Sequence, residues 1–247
     1  MILLTIVVIF CYVVWHSLEI AAFGTRVAGR LTNRPALGTT LSQTVYMTAD
    51  FFIIFFLPAL GYIVESGITI HDYLTLVLIA YSLTFIMSII MLIKLNGLQQ
   101  FYQVIFAKYK DNTIPIAILK SLVSKKTDLN IKDCERFTFD KIIIKKSLVS
   151  FLAYIFLITG FFNAFMLAVL FPENRLTLSQ FTAAFHGFGA VIFALYLDPM
   201  LSRSIDTYSD NSTWLKNVYS ILFGRILSYL AIIIALLIFL YYLKSII

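Results

Sequence analysis

Three arginines stand four residues apart at Arg26, Arg30 and Arg34, inside the stretch GTRVAGRLTNRPALGTTLSQT at 24–44. On a helix that spacing stacks side chains along one face. A row of guanidinium groups can receive an anion, because each presents a planar fork of donors. The stretch lies between two apolar runs, and a short connector of that kind needs no arginine stripe merely to stay soluble. A second set of residues carries charge where charge is costly. Glu19, Asp50, Asp198 and Arg225, with His16 and His186, lie inside or at the ends of apolar runs. A charge at mid-bilayer costs about 2.5–3.5 kcal/mol on insertion scales, so each is a functional candidate. Plainer roles exist for several of them. Asp198 and Arg225 can neutralise one another between adjacent helices, Glu19 can snorkel from a span end, and His16 reads best as a packed, hydrogen-bonded histidine.

The elements that must position these groups follow from composition. The chain has 247 residues, 60% of them hydrophobic and 13% charged, with a mean hydropathy of +0.91. Soluble domains are nearer half apolar and a quarter charged, so this is an all-α integral membrane protein. Six segments have the roughly 20 apolar residues a crossing needs, at about 2–23, 45–65, 73–95, 148–171, 178–200 and 218–243. Together they make one transporter domain over 1–247, a bundle of six transmembrane helices. The first run lacks a basic leader and reads as a retained helix rather than a cleaved signal.

Charge placement orients the bundle. Of the 19 Lys and Arg, loops one, three and five hold 16, whereas the alternate compartments hold Arg175 and Lys244. The positive-inside rule then puts both termini outside and those three loops in the cytoplasm. The third loop, 96–146, contains LQQFYQVIFAKYK and IPIAILKSLVSKK, which pair apolar residues with lysines. They read as amphipathic helices lying in the cytoplasmic interface against anionic lipid, or as a solvated basic loop.

With this orientation Glu19, Asp50, Asp198 and Arg225 fall in the cytoplasmic half, above the arginine stripe, and His186 falls in the outer half. That is a polar chamber. The chain has no Gly-rich phosphate loop, no HExxH and no G-x-S-x-G. Cys11 and Cys134 suggest neither a disulfide nor a metal site. The reading is a mover of molecules without cofactor or metal, not an enzyme, and without nucleic-acid partners. A homo-oligomer is compatible with it.

The run SLEIAAFGTRVAGRLTNRPALGTTLSQTVYM, the downstream PALGYIVE, the segment LYLDPMLSRSIDTYSD and FGRILSYL together resemble the Amj lipid II flippase family. Both ends of the chain match in order and spacing, and the lysine-rich middle matches in hydropathy. Two positions depart from the family pattern, which has an arginine near Asp50 and an asparagine where His186 stands. The resemblance implies a bacterial inner-membrane flippase that carries undecaprenyl-pyrophosphate-linked cell-wall precursor to the outer leaflet. On that basis Arg26, Arg30, Arg34 and Arg225 would bind the diphosphate, while Glu19, Asp50, His186 and Asp198 would gate or balance charge. Undecaprenyl phosphate or another anionic lipid is the alternative cargo, and a membrane scaffold of envelope assembly is the alternative class.

Overall fold

The computed structural model describes residues 1–123 and 131–246. Lys125 and Lys126, which close the second amphipathic stretch of the third loop, lie outside the described residues. Backbone groups in lipid must be satisfied within their own segment, and the described residues form α-helices with short connectors except for the largely irregular stretch 131–143 before α7. The α-helices are α1 (Ile2–Leu31), α2 (Pro35–Asp50), α3 (Ile53–Glu65), α4 (Ile70–Ile93), α5 (Leu95–Tyr109), α6 (Ile114–Val123), α7 (Ile144–Leu170), α8 (Arg175–Ile192), α9 (Asp198–Thr207) and α10 (Asn211–Ile246). Six stretches are long and apolar enough to cross a membrane: Ile2–Leu31, Pro35–Glu65, Ile70–Ile93, Ile144–Leu170, Pro172–Thr207 and Asn211–Lys244. Lipid-sized side chains such as Phe55, Ile86, Phe188 and Leu195 are exposed on the outside.

Helix α1 is the hub, packed on α2, α3, α4, α5 and α10, while α7 carries α8 and α10. The hub core is aromatic. Tyr12, Trp15, Phe56, Tyr81 and Phe162 are all buried. Tyr12 donates to the carbonyl of Ile158 at 3.1 Å and Tyr73 to that of Phe162 at 2.6 Å. Such hydroxyls satisfy themselves on α7 while their rings fill space.

The turn between α1 and α2 is tight. Asn33 takes the left-handed conformation at φ 57, which asparagine tolerates, and Pro35 opens α2 at its first position. The two helices then touch through Gly29 and Gly38. A methyl on Gly38 would lie 2.8 Å from the Thr25 carbonyl oxygen and 2.9 Å from the Gly29 Cα. Thr25 Oγ1 donates across the contact to the Gly38 carbonyl at 2.9 Å. Small residues let backbones approach in this way within membranes. Gly38→Ala should therefore cost about 1–3 kcal/mol through overpacking. Gly97→Ala is the contrast, because its methyl meets nothing at an exposed helical site and should be neutral or gain up to about 1 kcal/mol. Unfolding of the two variants in detergent checks the difference.

Helix ends differ from the expected spans for one physical reason. A hydropathy window stops where polar residues begin, but these polar ends are helical and packed. The second span starts at Pro35 instead of 45, the fifth runs on to Thr207, and the sixth begins at Asn211. Asp50 is thus not one turn from its helix start but fifteen residues along, about 22 Å at 1.5 Å per residue. Asp198 does not close its span, because α9 continues it. Between α8 and α9 the chain makes a π-helical turn at Phe193–Leu197. Pro199 removes a backbone donor and its ring crowds the carbonyl four residues earlier, and the wider turn relieves that clash.

Loops one, three and five meet at one end of the bundle. Arg30, in the last turn of α1, reaches the carbonyls of Ile205 and Tyr208 at the end of α9. The third loop is tied down rather than solvated. Gln99 Nε2 donates to the Lys132 carbonyl at 2.9 Å, and Lys132 N–H donates to Gln103 Oε1 at 3.0 Å. Its Glu135 pairs with Lys141 at 2.9 Å and accepts from Ser212 Oγ at 3.0 Å, and these partners hold its carboxyl below the usual carboxylate range. At the other end of the bundle Arg175 donates to the Glu65 carbonyl at 3.2 Å, joining loops two and four.

Candidate substrate chamber

A cavity of about 290 Å³ lies between α1, α2, α7, α8 and α10. Glu19 and Arg26 reach it from α1, Gln43 and Tyr46 from α2, Tyr154 from α7, His186 from α8, and Arg225 from α10. Asp198 enters from the start of α9, just past the π turn. The π turn alters the rotation at which α9 leaves α8, and Asp198 is the first residue beyond it.

Arg225 is wholly buried. The preceding Gly224 explains how α10 comes so close to α7, since a methyl there would lie 2.3 Å from the Ser147 carbonyl oxygen. Its Nη2 donates to Glu19 Oε2 at 2.6 Å and to the His16 carbonyl at 3.1 Å. The guanidinium carbon sits 4.7 Å from the centre of the Tyr154 ring, a cation–π distance. His16 Nδ1 is 2.9 Å from both Arg225 Nη2 and Glu19 Oε2. One ring nitrogen cannot serve both partners at once. Protonated, it donates to Glu19; bare, it accepts from Arg225.

The second cation is matched in the same way. Arg26 Nη2 lies 2.5 Å from Asp198 Oδ1, and its Nε donates to Ser42 Oγ at 3.3 Å. Asp198 and Arg225, which sequence allowed as a mutual pair, each pair with α1 instead. The chamber thus contains two arginines and two carboxylates in two separate ion pairs. The Arg225–Glu19 pair is the more deeply buried, and a pair of that kind is costly to desolvate and holds only when both partners stay in place, whereas Asp198 of the other pair is partly exposed.

The arginine stripe divides. Arg26 faces the chamber. Arg30 lies outside it, donating to the carbonyls of Ile205 (2.7 Å) and Tyr208 and, at 3.0 Å, to Asn211 Oδ1. Ile205 lies in the last turn of α9, whose carbonyls a helix leaves unmet, Tyr208 follows as its C-cap, and Asn211 opens α10. Arg34 stands at the N-cap of α2, where the helical row has already ended, with Nη1 3.4 Å from the Phe106 carbonyl. Asp50 is also outside the chamber. It is exposed and lines a separate cavity of about 520 Å³ with Pro58, Phe161 and His186. His186 borders both cavities, anchored through Nδ1 3.2 Å from the Leu157 carbonyl oxygen.

A family model described as Amj, Alternate to MurJ, matches residues 11–243. The chain belongs to the Amj family. No curated protein and no solved structure matches it. The segments that carry the Amj resemblance supply the two arginines and two carboxylates of the chamber. The α1–α2 hairpin supplies Glu19 and Arg26, the Asp-Pro element supplies Asp198, and the Gly-Arg pair of α10 supplies Arg225. Gln43, Tyr46 and Tyr154 escaped the sequence reading. A signal existed for the first two, because Gln43, Tyr46 and Asp50 recur at i, i+3 and i+7 along one side of α2. It was hidden by a span drawn from residue 45. Tyr154, one tyrosine in an apolar run, carried no such signal.

Proposed function

We propose that this Amj-family chain moves a prenyl-diphosphate-linked cell-wall precursor, lipid II, from the inner to the outer leaflet of the bacterial inner membrane. Both termini would face outward. The observation that carries the reading is the pair of arginines held in one chamber by the chain's own carboxylates. On this reading Arg26 and Arg225, which line the same cavity, would receive an anion with two phosphate centres, and Asp198 and Glu19 pair with them while it is absent. Loading is then an exchange in which a diphosphate takes over the guanidinium groups and the carboxylates become free to close or rebalance the chamber. Arg30 and Arg34 act on position instead, Arg30 by clamping the end of α9. Asp50 and His186 line the continuation of the path.

The head group sets a further demand. A cavity of about 290 Å³ is at the small end of ligand sites and too small for a disaccharide-peptide. The chamber must widen, and α2 and α8 share no packed interface. Gly189 is the one fully buried residue of α8 among the described residues. Parting these two helices costs little packing and gives the prenyl tail a side opening to lipid.

The test is competition for the purified protein in nanodiscs, with bound lipid read by mass spectrometry. Lipid II should be retained by the unaltered chain and lost from Arg26→Ala, and undecaprenyl phosphate should compete at least tenfold less well. Equal competition by undecaprenyl phosphate or a glycerophospholipid would make the cargo the simpler lipid. Failure of any lipid to depend on Arg26 would remove the chamber from the mechanism.

A further inference from the structure

A second cavity, of about 410 Å³, lies at the end of the bundle where loops one, three and five meet, between the start of α7 and the far side of α9. Two cations line it, Lys146 and Arg203, together with the hydroxyl-bearing Tyr196, Ser204, Thr207 and Tyr208. Among the described residues no carboxylate forms an ion pair with either cation. Lys146 Nζ donates to the Asn217 side-chain oxygen, a neutral partner that leaves its charge unbalanced. The Arg203 guanidinium has no partner among the described residues. This is the reverse of the chamber, where each arginine has an internal acid. The depth is informative as well. Lys146 is the third residue of the spanning stretch Ile144–Leu170, and Arg203 lies four residues before the end of Pro172–Thr207. Both therefore sit at the boundary of the apolar layer, where lipid phosphates lie.

We infer that Lys146 and Arg203 form a binding site for the phosphate of a membrane-lipid head group, separate from the chamber. Two cations on facing elements suit a phosphate held from both sides, and the hydroxyls of Tyr196 and Tyr208 can donate to its remaining oxygens, those of Ser204 and Thr207 being spent on the carbonyls of Leu201 and Arg203. The site also touches the transport machinery. Arg203 and Asp198 lie on the same short helix, so an anion seated on one side of α9 bears on the ion pair made from the other.

The experiment uses the full chain in nanodiscs of phosphatidylcholine carrying increasing phosphatidylglycerol, with bound lipids counted by native mass spectrometry. Lys146→Gln with Arg203→Gln should weaken phosphatidylglycerol retention by at least tenfold, since each charge-assisted contact is worth about that factor. Arg203→Lys should keep most of the binding. Lys145→Gln, at the exposed neighbouring position, should change nothing. Inorganic phosphate added in millimolar amounts separates the sources. If it displaces the lipid, the phosphate alone is recognised; if it does not, the glycerol and acyl portions are part of the ligand. Unchanged phosphatidylglycerol retention in the double variant, with the chain folded as judged by its unfolding temperature, would overturn the site. So would an equal loss in Lys145→Gln, which would show a diffuse charge effect.

Discussion

Replacing Glu19 with alanine should destabilise the protein by about 3–5 kcal/mol, the usual consequence of leaving one member of a buried ion pair alone. The charge that remains is an arginine with 0% of its side chain exposed, and a guanidinium cannot escape by losing its proton. Removing both partners, as in Glu19→Ala with Arg225→Leu, should recover most of that loss, because no uncompensated charge is then buried. Unfolding of the single and double variants in detergent, treated as a double-mutant cycle, measures the coupling. The double variant should nevertheless be inactive in outer-leaflet delivery. A stable but inactive pair of substitutions would separate the structural part of Arg225 from its proposed contact with the cargo. If the double variant is both stable and active, Arg225 has no transport role.

The Arg26–Asp198 pair should respond with opposite signs on its two sides. Arg26→Ala removes a cation from the proposed diphosphate position and should weaken binding of the lipid-linked precursor by about 10–100-fold, or roughly 1.5–3 kcal/mol. Asp198→Asn removes the competitor for that cation. Asp198 is 32% exposed, so its pairing strength falls towards the surface range of up to about 1 kcal/mol. Precursor affinity should rise by no more than about fivefold. Turnover should fall at the same time, since nothing is left to reclaim Arg26 when the cargo leaves. Affinity measured by mass spectrometry and delivery measured in cells give the two readings. Parallel loss of affinity in both variants would mean that Asp198 contacts the cargo directly rather than standing in for it.

Much of this site was legible in the chain because charge in an apolar run is conspicuous. Glu19, Asp198 and Arg225 stood out on that ground alone, and all three line the chamber with Arg26. Pairing was not legible. Which acid meets which arginine depends on how α1, α9 and α10 rotate against each other, and glycines such as Gly29, Gly38 and Gly224 set helix approaches through contacts no spacing rule displays. Depth was misjudged wherever a polar stretch proved helical, as at 35–44 and 198–207. Arg30 shows a different limit. Four-residue spacing put it on the face of Arg26, yet one further turn along α1 carried it past the chamber to the unmet carbonyls of α9.

The balance of the chamber has an electrical consequence. With its two arginines answered by two carboxylates, the empty site carries no net charge if its histidines are neutral, so resetting it would do no work against a transmembrane voltage. A diphosphate adds negative charge to that neutral frame. Carrying it outward from a negative interior would then be favoured by about 2.3 kcal/mol per elementary charge for each 100 mV. On the proposed function, a carrier built this way draws on the membrane potential only when loaded and turns back without opposing it.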